Sequence, residues 1–328
     1  MNRIIQLFLS LLAGFMLIAC SNEDEAIMLE ENGIPVVVNV TEEPIQGDNA
    51  SQAPHRGSML TTSSFTKFHI EYYFQGGDCW NKYQYNKSEN TWSGNMTWPE
   101  VSTNYPLTFY AYFDQNTESV SRVNDSSDPY IVVTVENNAS SQRDVIAAKS
   151  KSFQYSEIGS SVDLSFKHIC SAVQFKIGKT AAMSAYNIIV LTAELCNIVK
   201  QGEYHFNAES WTFRSEKANY TLNNASFTLG TEATDLNLAS GSEYLFLIPQ
   251  TLTAWDKTTP ISENPIGSYV HLRCKISKEG SYKIGGNETW GDAYLPVSGT
   301  WEQSKKHIFT ILVGTALRNA SGTQITTL

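Results

Sequence analysis

Within this 328-residue chain, the first place to look for chemistry is 164-LSFKHIC-170, where His168 and Cys170 lie two residues apart. In an extended strand, residues two apart share a face. An imidazole and a thiol so placed could serve as base and nucleophile, or as two metal ligands. The same face already carries Val162, Leu164 and Phe166, which is the register of a core. A histidine buried there needs hydrogen-bond partners and ties strands together. The stretch therefore reads as structural. The apolar register resumes one residue out of phase at Val173, Phe175 and Ile177, the mark of a bulge or a break between strands.

The remaining histidines, His55, His69, His205, His271 and His307, form no HExxH pair, and no CxxC occurs, so zinc and thiol-redox chemistry have no local support. The segment 157-EIGSSV-162 lacks the second glycine of a GxSxG nucleophile elbow. With 33 Asp and Glu, carboxylate pairs of the kind a glycosidase needs cannot be selected by spacing alone. The acidic 123-VNDSSDP-129 reads as a solvated turn, with an exposed cation site as the alternative. Trp80, Trp92 and Trp98 read as cross-strand anchors, with stacking on sugars as the alternative. The sequence assigns no catalytic residue, no cofactor and no metal ligand.

The elements that would position such residues are strands. Short aromatic and β-branched runs recur between Asn, Ser, Gly and Thr clusters. In 68-FHIEYYF-74 and 107-LTFYAYF-113 the apolar residues alternate, and the second half repeats the style up to 307-HIFTILV-313. Helical stripes are lacking, so antiparallel sandwiches fit and alternating βα units do not. The length suits two domains, with the joint expected just before the 162–177 run, near 158, and a place after that run as the alternative. The formal charge of -10, with only 23 Lys and Arg, excludes a phosphate-neutralising surface and hence a nucleic-acid partner.

The chain opens MNRIIQLFLSLLAGFMLIAC and then turns abruptly to SNEDE. A basic residue, an apolar run and a closing Ala-Cys have the layout of an export signal over residues 1–20. LIAC resembles the lipobox of bacterial lipoproteins, which would make Cys20 the acylated first residue of the mature chain and tie it to a membrane. SNEDE resembles the surface-export signal of Bacteroidetes lipoproteins. Residues 21–33 read as a tether, 34-IPVVVNV-40 as a compact strand, and 41–64 as a long exposed loop. Cys79, Cys170, Cys196 and Cys274 permit three pairings in an exported chain; buried free thiols are the alternative.

In order along the chain, the Cys20 lipobox, PHRG around Arg56, YAYF at 110–113, DVIAA at 144–148, LSFKHICSAVQFKI at 164–177, IPQTL at 248–252 and WEQSKKHIFTILV at 301–313 resemble the fimbrillin family of Bacteroidetes, the Mfa-like and FimA-like lipoproteins related to type V pilins. The resemblance implies an all-β fold of two transthyretin-like antiparallel β-sandwich domains, here 21–158 and 159–328. It implies an outer-membrane, surface-exposed lipoprotein held by its N-terminal lipid until processing, and fimbriae as its destination. It further implies that an arginine-specific protease cuts at Arg56, that the first strand leaves with its plugs Val36, Val38 and Val40, and that another fimbrial subunit fills the gap by β-strand addition. The tail 314–328 departs from a donor strand, since Leu317, Ile325 and Leu328 are its only large apolar residues. A tip or accessory subunit that receives a strand is therefore expected. A non-polymerising surface lipoprotein binding glycans or host proteins is the alternative.

Overall fold

The computed structural model describes residues 30–46, 60–61, 63–74, 82–100, 106–114, 120–123, 128–223, 225–236 and 244–325. Cys20, Arg56, Cys79 and Trp80 lie outside the described residues. The chain is all-β, as the alternation implied. Helical structure among the described residues is limited to 3-10 turns at Ala139–Ser141, Tyr155–Glu157, Ala181–Met183 and Ile261–Glu263.

The first part of the chain contributes β1 (Glu30–Pro35), β2 (Val38–Glu42), β3 (Lys67–Phe74), β4 (Lys82–Ser88), β5 (Thr91–Ser93), β6 (Thr97–Glu100), β7 (Leu107–Asp114), β8 (Val120–Val123), β9 (Tyr130–Thr134), β10 (Val145–Phe153) and β11 (Val162–His168). Seven of these form one sheet in the order β2-β11-β10-β7-β3-β4-β5, while β1 pairs with β6. The second part contributes β12 (Ser171–Lys179), β13 (Asn187–Val199), β14 (Gln201–His205), β15 (Ser210–Phe213), β16 (Lys217–Asn223), β17 (Phe227–Thr228), β18 (Thr234–Asp235), β19 (Leu245–Leu247), β20 (Gln250–Leu252), β21 (Tyr269–Lys278), β22 (Ser281–Ile284), β23 (Gly291–Pro296), β24 (Gly299–Trp301) and β25 (Lys306–Val313). Among the described residues, the paired strands run antiparallel except β2 on β11 and β25 on β12.

Two large apolar clusters fill the molecule. The first gathers Phe65, Phe68, Tyr85, Trp98, Phe109, Phe153 and Phe166 on one face of the seven-stranded sheet. Its rings meet at short range: Phe65 and Phe166 lie 5.1 Å apart and Trp98 and Phe109 5.3 Å, the tilted and edge-on contacts aromatic quadrupoles favour. The second cluster holds the inner residues of β12, β13, β19, β21 and β25. Strands β7 and β10 serve both. Phe109, Ala111, Phe113, Ile146 and Ala148 point into the first cluster, and Tyr110, Tyr112, Val145 and Ala147 into the second. Burial on both faces explains why YAYF and VIAA are continuous apolar runs rather than alternating ones.

Sheet pairing crosses residue 158 in both directions. β11 belongs to the seven-stranded sheet, and β9 pairs with β14. β11 and β12 lie in different sheets, with Ile169 and Cys170 between them. The phase slip read in the sequence marks this place. His168 keeps the inward register of Val162, Leu164 and Phe166. Cys170 does not share that face: it follows the end of β11 and joins the second cluster.

Candidate functional site

The expected single strand 34–40 is two strands. Pro35, with a fixed φ and no N–H, ends β1. The chain then changes partner. Val36 N donates to Met96 O at 3.0 Å, and Val162 N donates to Val37 O at 2.8 Å. From Val38 the chain runs parallel to β11, with Val38 opposite Val162, Val40 opposite Leu164 and Glu42 opposite Phe166. Among the described residues, β2 forms the edge of its sheet, with β11 as its strand neighbour. The three valines named from the sequence face inward. Val36 and Val38 are 4% and 5% exposed in the first cluster, and Val40 packs against it part-buried. The buried Tyr85 hydroxyl donates to Val36 O at 2.5 Å. Outward, the Asn39 amide donates to Asp163 at 2.8 Å.

At the far end of this strand the inward register continues into a carboxylate. Glu42 follows Val38 and Val40 on the same face, with its side chain 11% exposed, and lies 3.3 Å from Nε2 of His168. Nδ1 of His168 lies 2.6 Å from Asp144 Oδ2, both side chains being 1% exposed. The same Oδ2 accepts from Leu60 N at 2.9 Å. Burial works against a charge on His168, but the Asp144 carboxylate, through attraction and hydrogen bond, and then Glu42 outweigh it and lift the imidazole to about 9. A buried cation therefore stands between two carboxylates, and the cluster grips the chain on both sides of the span 47–59: at Glu42 before it and at Leu60 after it.

The other end of the chain is engaged elsewhere. Leu317 is fully buried in the second cluster and Ile325 packs against it. Arg318 bridges Tyr294 on β23, Ile325 N donates to Leu317 O, and Ile261 N donates to Ala320 O. Asn319 Oδ1 accepts from the backbone of Ser321 and Thr323. The tail up to residue 325 is folded onto its own half of the molecule.

Residues 61–327 match the family described as Fimbrillin-like. The chain belongs to the fimbrillin-like family. The match begins after β1 and β2, so those strands lie outside it. Among solved structures, this fimbrillin-like chain is similar to a fimbrial protein from Bacteroides vulgatus, with 14% identity, TM-score 0.51, and coverage of 84% of this chain and 95% of that one. It is also similar to a candidate cell adhesion protein from Parabacteroides distasonis, with 8% identity, TM-score 0.49, and coverage of 88% and 90%. The first likeness establishes a shared fold; the second, with its lower score, adds nothing to it. No curated protein matches the chain.

Other residues singled out in the fimbrillin-like sequence take structural places. Trp98 is fully buried, and Trp92 is part-buried against Phe65 and Phe68 at 4.8 and 5.0 Å. These two indoles do not form an exposed sugar platform. Asp128 holds His205 at 2.7 Å, while residues 124–127 lie outside the described residues. Cys170, Cys196 and Cys274 are buried. Among the described residues, no group of three or more His, Cys, Asp or Glu is placed to hold a metal ion, and no helix is long and apolar enough to cross a membrane. Sequence reasoning missed Asp144 and Glu42. The signal for Glu42 lies in V38-x-V40-x-E42, where an acid stands in phase with inward valines.

Proposed function

We propose that this fimbrillin-like protein is a surface lipoprotein, acylated at Cys20, that acts as a strand-receiving tip or accessory subunit of fimbriae and contributes to adhesion. Its halves, 21–158 and 159–328, are transthyretin-like sandwiches on this reading. Cleavage at Arg56 frees the N-terminal segment, and a strand from another subunit takes its place. One observation carries the reading. β2 is an edge strand whose valines plug the first cluster, so its departure opens an apolar slot beside an unpaired edge, the two features that drive strand addition.

The receiving-only role is supported by the tail. Leu317 and Ile325 are already spent on the protein's own core, and releasing them would expose that core. A non-polymerising surface lipoprotein binding glycans or host proteins is the second reading, favoured by the same engaged tail. The deciding experiment treats the purified protein with an arginine-specific protease, sequences the new terminus, and adds labelled strands from other fimbrial subunits. Cleavage at Arg56 followed by capture of a strand is expected. A cleaved protein that keeps residues 30–46 against every donor would support the non-polymerising reading.

A further inference from the structure

Resting on the strand-exchange reading, we propose that the incoming strand must carry a carboxylate for His168: it runs parallel to β11, with apolar side chains where Val38 and Val40 stand and an Asp or Glu where Glu42 stands.

The inference comes from what β2 takes with it. The valines leave slots that any apolar side chain could fill. Glu42 leaves something more selective. Nε2 of His168 sits 3.3 Å from its carboxylate, while Nδ1 is committed to Asp144 at 2.6 Å and Asp144 Oδ2 also serves Leu60 N. His168 is 1% exposed, and two carboxylates hold it as the cation. A strand presenting an apolar group at this position would cover Nε2–H without an acceptor. Buried charged donors left unsatisfied are strongly disfavoured. The register fixes the spacing. Glu42 lies opposite Phe166, four residues beyond the Val38–Val162 pair, so the acid must follow the two plugs at alternate positions.

The rule also says which strand does not fit. Residues 314–328 contain no Asp or Glu, so the tail of a second copy offers His168 no side-chain carboxylate. A donor that fits carries the pattern apolar-x-apolar-x-acid, as Val38, Val40 and Glu42 do.

The test uses the full chain carrying a site-specific protease sequence inserted within 47–59, cut and then challenged with labelled peptides in competition. The peptides are the protein's own residues 34–46, the same with Val38→Asp, and the same with Glu42→Gln. Capture of the native peptide, rejection of V38D, and about ten- to a hundred-fold weaker binding of E42Q is the expected result. In a His168→Gln chain the E42Q penalty should shrink, because the two residues act as a pair. Native capture and V38D rejection with E42Q bound as tightly as the native peptide would overturn the carboxylate requirement while leaving strand exchange intact. Failure to capture the native peptide, or equal capture of V38D, would overturn strand exchange and the requirement with it.

Discussion

Raising the pH should loosen this protein well below the range where tyrosines or lysines titrate, and His168 is the reason. In the unfolded chain its imidazole titrates near 6.5; in the folded protein it is lifted to about 9. The folded state therefore holds a proton that the unfolded state has released between those values. Stability from this group is complete below 6.5 and is lost as pH rises through about 9. At about 1.4 kcal/mol per pH unit of displacement, a rise from about pH 6 to about pH 8.5 should remove roughly 2 kcal/mol. His271, held by Glu194 and Asp292, is also raised, first through its hydrogen bond to Glu194, and adds to the slope. The control is thus His168→Gln, which keeps His271 and removes the larger contribution. Urea unfolding of both proteins at several pH values, followed by tryptophan fluorescence, gives the two profiles. Wild type should fall more steeply than H168Q across this window. Parallel profiles would mean that His168 carries no retained proton, and the buried ion cluster as described would be refuted.

Three further outcomes follow from local geometry. Leu317→Ala should cost about 2–5 kcal/mol in urea unfolding, because Leu317 is fully buried in the second cluster; a change below about 0.5 kcal/mol, typical of surface sites, would show the tail to be free. Gly267→Ala should destabilise by more than about 1 kcal/mol, since its φ is +96° and an added Cβ would lie 2.5 Å from Ala254 O; thermal melts check it. Cys196 and Cys274, whose thiols burial pushes up to about 12, should resist alkylation at neutral pH until denaturant is added, as peptide mapping of the label would report; rapid labelling of the native protein would contradict their burial.

The strands were legible where one face meets water. The spacing of Val162, Leu164 and Phe166 shows β11 directly, because a half-buried strand has a period of two. The inward valines Val36, Val38 and Val40 were named through the family resemblance, while the break at Pro35 and the change of partner behind it were not legible, since they depend on Met96 and Val162. The pairing that crosses the expected joint near 158, such as β9 with β14, was not legible because contact between distant strands leaves no local trace. The site was half visible. His168 announced a need for partners, but Asp144 and Glu42 stand 24 and 126 residues away in sequence. Only folding brings them together.

The parallel pairing of β2 with β11 has a mechanical consequence. Tension applied through the N-terminal side of β2, and resisted through the chain that continues past β11, pulls the two strands in opposite directions along their length. All five register pairs from Val38–Val162 to Glu42–Phe166 then share the strain at once, and sliding by one residue would turn every valine out of its slot. A competitor arriving at the Glu42 end meets the same pairs one at a time, as a zipper. The strand should therefore hold fast against a steady pull from a surface, yet yield stepwise to another strand: rigid to traction, open to replacement.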